Sequence, residues 1–278
     1  MPSILCVIVI FKRLSFQLFK TQWVGAMANT TLQKPVALIT GAAGGLGQAL
    51  ARHLAASGWS LVVVSRSRSR LSEAFGDAHL QVQADCSLDA GARQMVDALR
   101  HHQVVPAAFA HCVGNIRLGA LHRMAQADID SALRANLVSA ILSLQAYLTL
   151  LHEARQGGAA VLVSSAAAQV GTPNHEVISA AKAGVEGLVR GAAASHAGAG
   201  IRVNAVAPGI MDTPAAGHVI GSEPARAAAA RQYPIPGIAT PCDVVPLMAW
   251  LLSDAAARVT GQVWSVDGGF SAIRPLVK

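Results

Sequence analysis

Seven apolar runs of strand length alternate along the chain with longer stretches rich in alanine and leucine. The runs are Val36–Thr40, Ser60–Ser65, Leu80–Ala84, Ala107–Cys112, Ala160–Ser164, Arg202–Val206 and Gln262–Val266. The longer stretches include Leu46–Ala56, Ala90–His101, Ala127–His152 and Ala180–Ala197. Parallel strands need crossovers of this length and are buried on both faces. The alternation therefore predicts an α/β fold, a doubly wound parallel sheet of seven strands with helices on both faces.

The first predicted strand runs directly into a glycine-rich turn that precedes a helix. The turn contains Gly41, Gly45, Leu46 and Gly47. Glycine at such a turn lets the backbone approach a pyrophosphate, and the helix N-terminus offers free N–H groups and a partial positive charge. This position between strand and helix is typical of the Rossmann type of dinucleotide-binding fold. We therefore predict that these residues bind a dinucleotide cofactor.

The end of the second predicted strand, Ser65 and Arg66, indicates which dinucleotide is bound. A site that prefers NAD has an acidic residue here, which binds the ribose 2′-hydroxyl. No acid is present, and Arg66 can instead pair with a 2′-phosphate. The predicted cofactor is therefore NADP(H). Arg68 and Arg70, which follow closely, are expected to be solvated.

Residues 33–278 are expected to form a single domain, and residues 1–32 an extension that is disordered or has a wrongly assigned start. The apolar run Ile4–Phe11 is far shorter than the ~20 residues that span a bilayer, so stable membrane insertion is not expected. Met27 opens a stretch that looks like an ordinary start just ahead of the first strand.

Charge and cysteine content exclude other classes of function. The formal charge is +7, three of which come from Lys12, Arg13 and Lys20, and the other positive charges are scattered. No nucleic-acid motif is present, so we expect no nucleic-acid partner. The four cysteines are far apart, with no CxxC pair and no neighbouring histidine cluster. This spacing is typical of reduced thiols in a cytoplasmic protein without a metal site.

From about residue 33 to the C-terminus the sequence resembles the short-chain dehydrogenase/reductase family. The resemblance is carried by the motifs TGxxxGxG, ANL, VSS, AAK and RVNAVAPGIMDT, in that order. It implies that Asp85 hydrogen-bonds the adenine and that Asn136, Ser165 and Lys182 belong to the catalytic group. It also implies that the nicotinamide is held by a loop after the sixth strand, with Lys182 bonding its ribose. The loop positions are Pro208, Gly209, Ile210 and Thr213.

Two positions depart from the family pattern. The family's Asn-Asn-Ala-Gly after the fourth strand reads His111-Cys112-Val113-Gly114, so only Gly114 is kept. We expect the backbone turn to persist there without its side-chain hydrogen bonds. The second departure is at the position four residues before Lys182, where most members have the tyrosine that acts as the acid. Ile178 stands there, and an isoleucine can neither donate nor accept a proton.

A histidine offers a replacement for that acid. The segment around His175 is similar to that of enoyl-acyl-carrier-protein reductases, whose tyrosine lies seven residues before the lysine, and His175 occupies that slot. An imidazole can donate a proton near neutral pH. Our hypothesis is that His175 replaces the tyrosine, with an exposed residue at a helix start as the alternative.

The sequence thus predicts an NADP(H)-dependent oxidoreductase that reduces a carbonyl or conjugated C=C of a small, rather apolar substrate. Met211 and residues 215–230, which are rich in alanine, are expected to form a lid over that substrate. The alternative is an inactive NADP-binding module or partner subunit. The resemblance implies dimers or tetramers formed through Ala127–His152 and Ala180–Ala197.

Overall fold

The computed structural model of the protein describes residues 34–274. The predicted extension, residues 1–32, and the apolar run within it lie outside the described residues. A single parallel sheet of seven strands occupies the centre of the described part, in the order β3-β2-β1-β4-β5-β6-β7. The strands are β1 (Val36–Thr40), β2 (Ser60–Ser65), β3 (Leu80–Gln83), β4 (Ala108–His111), β5 (Gly158–Val163), β6 (Ile201–Pro208) and β7 (Val263–Val266).

The predicted fold class is confirmed, and the predicted strand ends are correct to within two residues. The chain winds outward from β1 in one direction through β2 and β3, and in the other through β4 to β7. The order therefore reverses between β1 and β4, where Thr40 is paired with His111. In open parallel sheets, ligands bind beyond the carboxyl ends of the strands at such a switch point.

Nine helices of four or more residues connect the strands within residues 34–274. They are α1 (Gly45–Ala56), α2 (Arg68–Phe75), α3 (Asp89–His101), α4 (Gln126–Leu133), α5 (Ser139–Ala154), α6 (Glu176–His196), α7 (Gly217–Ile220), α8 (Glu223–Ala230) and α9 (Pro241–Leu252). A π-helical turn at Arg134–Val138 joins α4 to α5. The predicted helix Ala127–His152 is thus part of a continuous helical run that contains a π-helical turn, where the backbone hydrogen bonds reach one residue further along the chain.

Alternate side chains of each strand enter two separate hydrophobic cores. Leu38 of β1 packs on one face with side chains of α3, α5 and α6, whereas Ala37 and Ile39 pack on the other with α1 and α9. The same alternation in β2 places Val62 and Val64 on the first face. Period-two burial on both faces explains why the strands read as continuous apolar runs.

One continuous helical run among the described residues, Gln126–Ala154, is long and apolar enough to cross a membrane by length and composition alone. Half of its most apolar window is buried inside the fold, where it contributes Leu144, Tyr147 and Leu151 to the first core. A core helix of this length passes the same test.

A buried histidine joins the two strands at the switch point to a helix. His111, only 1% exposed, lies 2.8 Å through Nδ1 from Thr40 Oγ1 and 3.1 Å through Nε2 from Ser139 Oγ. Ser139 Oγ donates to the Ala135 carbonyl at 2.7 Å, so it accepts from His111 Nε2–H, and Nδ1 accepts from Thr40. Burial, with a smaller effect of Lys182, lowers the pKa of His111 to about 3. The imidazole is therefore neutral across the physiological range.

The sequence predicts that the turn after β4 keeps its backbone conformation and lacks side-chain hydrogen bonds. The second part of this prediction is wrong for His111. The backbone turn persists, with Cys112 N donating to Thr40 O at 2.9 Å. His111 forms bonds of its own, because an imidazole is long enough to reach both Thr40 and Ser139 from one strand position.

We expect His111→Ala to lower the free energy of unfolding by about 2–4 kcal/mol, because it leaves a cavity and removes one hydrogen bond from each of two buried hydroxyl groups, those of Thr40 and Ser139. His111→Asn, which keeps a polar group at this position, should lose less. Urea unfolding monitored by circular dichroism measures both changes. His122→Ala is the matched control, since His122 is exposed, and it should stay within about 0.5 kcal/mol of the parent. A loss for His111→Ala no larger than that of the control would contradict the bridging role.

Candidate active site

A cavity of about 340 Å³ opens at the carboxyl ends of the central strands. Its walls come from the segments that follow β1, β4, β5 and β6, together with α6 and the chain around α7 and α8. Its polar side chains are Asn115, Asn136, Ser164, Ser165, Thr172, His175, Lys182, Thr213, Gln232 and Tyr233. Lys182 is the one lysine among the lining residues, which include no arginine, aspartate or glutamate. The cavity therefore lies where the topology predicts a ligand site.

The glycine-rich turn presents free backbone donors to this cavity. Gly44, Gly45 and Leu46 line it, and α1 begins at Gly45 with no side-chain cap and no acidic residue in its first turn. Gly41 has a φ of 71° and abuts the fourth-strand turn so closely that a Cβ there would lie 2.7 Å from the Cys112 carbonyl carbon. Glycine is therefore required at Gly41, and the uncapped helix start fits an anionic group of a cofactor.

Lys182 is buried within α6 and faces the end of the fourth-strand turn. It is 6% exposed, and its Nζ donates to the Val163 carbonyl at 2.8 Å. A Cβ at Gly114 would lie 3.5 Å from Nζ. Burial lowers the pKa of Lys182 to about 8, opposed by the neighbouring Cys112 thiol. An ammonium with one recorded acceptor keeps donors for the hydroxyl groups of a ligand.

Ser165 lies at the end of β5, where its Oγ accepts from Ala167 N at 3.2 Å. That bond caps a short 3-10 turn and leaves the hydroxyl hydrogen of Ser165 available to a ligand. Ile178, on the first turns of α6, lines the same cavity and is 7% exposed. The position at which most family members have tyrosine is therefore an apolar wall of the cavity.

His175 is the residue that directly precedes α6, where its side chain makes no capping hydrogen bond, and it lines the cavity. Its Nδ1 lies 2.8 Å from the Pro173 carbonyl, which only accepts, so Nδ1 carries a hydrogen. Nε2 has no protein partner among the described residues. A neutral His175 therefore presents an acceptor at Nε2, and a protonated one presents a donor.

Asn136 lies in the π-helical turn and is paired with a residue that the sequence patterns do not reveal. Its Nδ2 donates to the Asn115 side-chain oxygen at 2.9 Å, and its Oδ1 accepts from Asn115 N at 3.3 Å. Asn115 directly follows the retained Gly114 and lies one residue beyond the family pattern. The pair holds the fourth-strand turn against the helix beside Lys182.

The loop predicted to hold the nicotinamide forms another wall of the cavity. Pro208, Gly209, Ile210 and Thr213 all line it. The segment expected to form a lid follows, and it lines the cavity through Met211, Ala215, Val219 and Ala229. Arg226 of α8 forms a 2.8 Å ion pair with Asp212, which fastens this segment to the loop.

The remaining predicted cofactor residues lie outside the cavity lining, at the ends of β2 and β3. Arg66 is exposed, and Asp85 accepts from Ser87 N at 3.0 Å and from Ser87 Oγ at 2.7 Å. Arg68 and Arg70 are exposed, as expected, but Arg70 also donates to the Ala43 carbonyl of the glycine-rich turn at 2.8 Å. Arg68 similarly donates to the Gln81 carbonyl at 3.0 Å.

The structure thus brings together most of the predicted site residues but not all of them. In the cavity lining are Gly45, Leu46, Gly114, Asn136, Ser165, His175, Lys182, Pro208, Gly209, Ile210 and Thr213. Outside the lining are Gly41, Gly47, Ser65, Arg66 and Asp85. Tyr233, Gln232 and Phe270 are lining residues without any motif that could have indicated them. Within residues 34–274 no three histidine, cysteine or acidic side chains are arranged to hold a metal ion.

The parallel sheet, the uncapped glycine turn and the lysine-lined cavity define a nucleotide-binding α/β fold with a site at its switch point. A family model described as Enoyl-(Acyl carrier protein) reductase matches residues 41–271. A cis-4-hydroxycyclohexanecarboxylate dehydrogenase of Sinomonas cyclohexanicum is 36% identical over 247 residues, covering 86% of this chain and 97% of the relative. A 3beta-hydroxysteroid dehydrogenase 1 of Eggerthella lenta is 30% identical, covering 86% and 95%.

A solved structure from the same kind of protein is also similar to this chain. An oxidoreductase of the short-chain dehydrogenase/reductase family from Burkholderia thailandensis is 32% identical, with a TM-score of 0.79, and covers 86% of this chain and 94% of its own. The chain belongs to the short-chain dehydrogenase/reductase family, a family of oxidoreductases, and the resemblance seen in its motifs is confirmed.

We expect Lys182→Met to raise stability at pH 7, because it removes a buried charge, and to flatten the dependence of stability on pH. The folded pKa of Lys182, about 8, lies below the unfolded value of 10.5, so the unfolded chain binds more protons between them. Stability due to this group should therefore rise with pH, by about 1 kcal/mol between pH 8 and pH 9. Urea unfolding of parent and variant at both pH values measures the difference. Parallel profiles would contradict the buried, protonated lysine.

Proposed function

We propose that the protein is an NADP(H)-dependent oxidoreductase that reduces a carbonyl or conjugated C=C of a small, neutral and rather apolar substrate. The observation that carries the proposal is that Ser165, His175 and Lys182 line the same cavity as the first turn of α1. The loop from Pro208 to Thr213 closes that cavity on another side. A dinucleotide on the helix start and a substrate beside His175 would therefore share one enclosure.

The preference for NADP(H) is supported by charge at the end of β2. The exposed guanidinium of Arg66 has no hydrogen bond or ion pair with another residue among residues 34–274, and no acid occupies the end of β2 itself. A free guanidinium can form a bidentate pair with a 2′-phosphate, whereas an unphosphorylated ribose offers it no charge.

The substrate class is supported by the lining of the cavity. Val113, Ile116, Leu118, Ile178 and Phe270 contribute apolar walls, and no carboxylate or guanidinium lines the cavity. An anionic substrate would meet one buried cation, Lys182, which the proposal assigns to the cofactor ribose. The two relatives named above act, by their names, on a hydroxycyclohexanecarboxylate and a hydroxysteroid, both of them cyclic alcohols. We therefore infer a cyclic secondary alcohol or the corresponding ketone.

Bound NADP(H) would supply or accept the hydride. The proton is assigned to His175, because Ile178 can exchange none. With Nδ1–H held by Pro173, a protonated His175 donates from Nε2 to the forming alkoxide or enolate. Ser165 donates its free hydroxyl hydrogen to the same oxygen, and Lys182 adds positive charge nearby. In the direction of alcohol oxidation a neutral Nε2 accepts the proton.

A second candidate function, a binding module without catalysis, is favoured by one observation: Ile178 turns the usual acid position into an apolar wall. Cofactor binding without turnover of enones, enoyl thioesters, ketones or quinones would select this alternative.

The proposal includes self-association through α4, α5 and α6. The support is Ile141, a large apolar side chain that is 42% exposed on α5. A monomer in sedimentation velocity would contradict it.

We expect Arg66→Ala to weaken NADPH binding by about 10- to 100-fold and to leave NADH binding unchanged, because only NADPH has the 2′-phosphate. Titration calorimetry measures both constants. Arg68→Ala is the matched control, since its guanidinium is bonded to Gln81, and it should bind NADPH like the parent. An equal loss for both variants, or a loss for NADH as well, would show that Arg66 does not select the cofactor.

We expect His175→Ala to reduce kcat for ketone reduction by about 10²- to 10⁴-fold, because the proton donor is lost. The NADPH dissociation constant should stay within about 3-fold, since the uncapped helix start is unchanged. The measurement is the loss of NADPH absorbance with cyclohexanone-type and enoyl substrates. Adding Ile178→Tyr to this variant should restore part of the rate, because it places a phenol four residues before Lys182. Undiminished turnover in His175→Ala would exclude the histidine as the acid.

A further inference from the structure

Tyr233 is the only one of the chain's two tyrosines whose hydroxyl reaches the cavity. The other, Tyr147, is fully buried in the first core, where its hydroxyl bonds to the Ala107 carbonyl. Tyr233 lies in the segment between α8 and α9 and lines the cavity beside the loop after β6. No role in the site has been assigned to it above.

The hydroxyl of Tyr233 caps a backbone donor of that loop. Ile210 N donates to Tyr233 Oη at 2.8 Å. The ring lies directly over Gly209, so closely that a Cβ there would be 2.7 Å from Tyr233 Cε1. Phe270 packs on the ring, with centroids 5.4 Å apart. The phenol is therefore held in place by the glycine, the aromatic neighbour and the hydrogen bond together.

The phenol is neutral in this position. Burial raises the pKa of Tyr233, the Ile210 N–H opposes this, and Asp267 adds to it. Its hydroxyl hydrogen has no acceptor recorded among residues 34–274. The bond between Tyr233 Oη and Ile210 N–H is thus a hydrogen bond between neutral groups. It is strong enough to hold the phenol against the loop and weak enough to be replaced by a bond to a ligand.

We propose that Tyr233 is a latch that closes the nicotinamide end of the site in the free protein by occupying the Ile210 N–H. This inference rests on the proposed function, in which Ile210 binds the cofactor. One backbone N–H cannot point at two acceptors with good geometry. A cofactor group that accepted from Ile210 N–H would therefore have to displace the phenol. The free energy of releasing Tyr233 would then weaken binding of the nicotinamide half of the cofactor and leave binding of the adenosine half unchanged.

The surrounding backbone allows this exchange to be local. Asp212 N donates to Ala239 O at 2.8 Å, and Ile235 N donates to Gly268 O at 2.9 Å. These two bonds anchor the segment on both sides of the tyrosine, to the loop and to the turn after β7. The side chain of Tyr233 can therefore turn while the chain that carries it stays attached.

The test compares the parent with Tyr233→Phe, which keeps the ring and removes only the hydroxyl. We expect the variant to bind NADP⁺ about 2- to 10-fold more tightly, the range of one neutral hydrogen bond. Adenosine 2′,5′-bisphosphate, which has the 2′-phosphate but no nicotinamide, should bind both proteins equally. Titration calorimetry measures all four constants. Tyr233→Leu also lacks the hydroxyl and should show the same direction of change.

Equal or weaker NADP⁺ binding by Tyr233→Phe overturns the latch, because removal of a competitor for Ile210 N–H must strengthen binding. An equal change for adenosine 2′,5′-bisphosphate also overturns it, because that ligand has no nicotinamide to compete at Ile210. A parent that binds neither ligand overturns the proposed function itself. A parent that binds both, with no difference in the variant, overturns only the latch.

Discussion

The buried hydrogen bonds of His111 join the ends of β1 and β4 to the start of α5, at the switch point where the cavity opens. The sheet order reverses between β1 and β4, so no crossover helix covers the carboxyl ends of these two strands. His111 links Thr40 at the end of β1 to Ser139 at the start of α5, and it does so without a charge. The glycine-rich turn follows Thr40, and the turn containing Gly114 follows His111. Both of these turns line the cavity, and both therefore depend on the same imidazole.

The electrostatics of the cavity follow from this arrangement. Lys182 is the one lysine in its lining, which includes no arginine or acidic residue, and burial lowers the pKa of Lys182 to about 8. Such a lysine can hold ribose hydroxyl groups at modest energetic cost, but it does not replace a proton donor. The change from tyrosine to Ile178 removes that donor from α6 one turn before Lys182. His175 is at the beginning of the same helix, with one ring nitrogen fixed by Pro173 and the other available. In the proposed mechanism the proton is therefore exchanged at His175, about one turn before Ile178.

Much of the fold and several residues of the candidate site could be predicted from sequence, because their signals lie in short segments of the chain. The strands read as apolar runs because both faces of the sheet are covered. The glycine turn, Lys182 and the Pro208–Thr213 loop have fixed positions relative to strand ends, so their convergence follows once the sheet order is known. The preference for NADP(H) and the role of His175 remain predictions.

What could not be predicted depends on contacts between distant positions. The π-turn around Asn136, its pairing with Asn115, and the reach of Arg70 to Ala43 each join segments whose approach is set by packing. Tyr233 is 23 residues from Ile210 along the chain, and no motif marks Tyr233 as a partner of the loop. The sequence did not predict the hydrogen bonds of His111. The family pattern has asparagine at this position, and the loss of that pattern gives no sign that a longer side chain forms hydrogen bonds of its own.

The central claim is that the switch-point cavity binds a phosphorylated dinucleotide between the start of α1 and the loop after β6. Amide hydrogen exchange measured by mass spectrometry, with and without NADPH, tests it most directly. Exchange should slow in peptides covering residues 41–47 and 208–213 and stay unchanged in those covering residues 152–158, at the amino ends of the strands. Protection absent from both cavity segments, or confined to residues 152–158, would contradict the account.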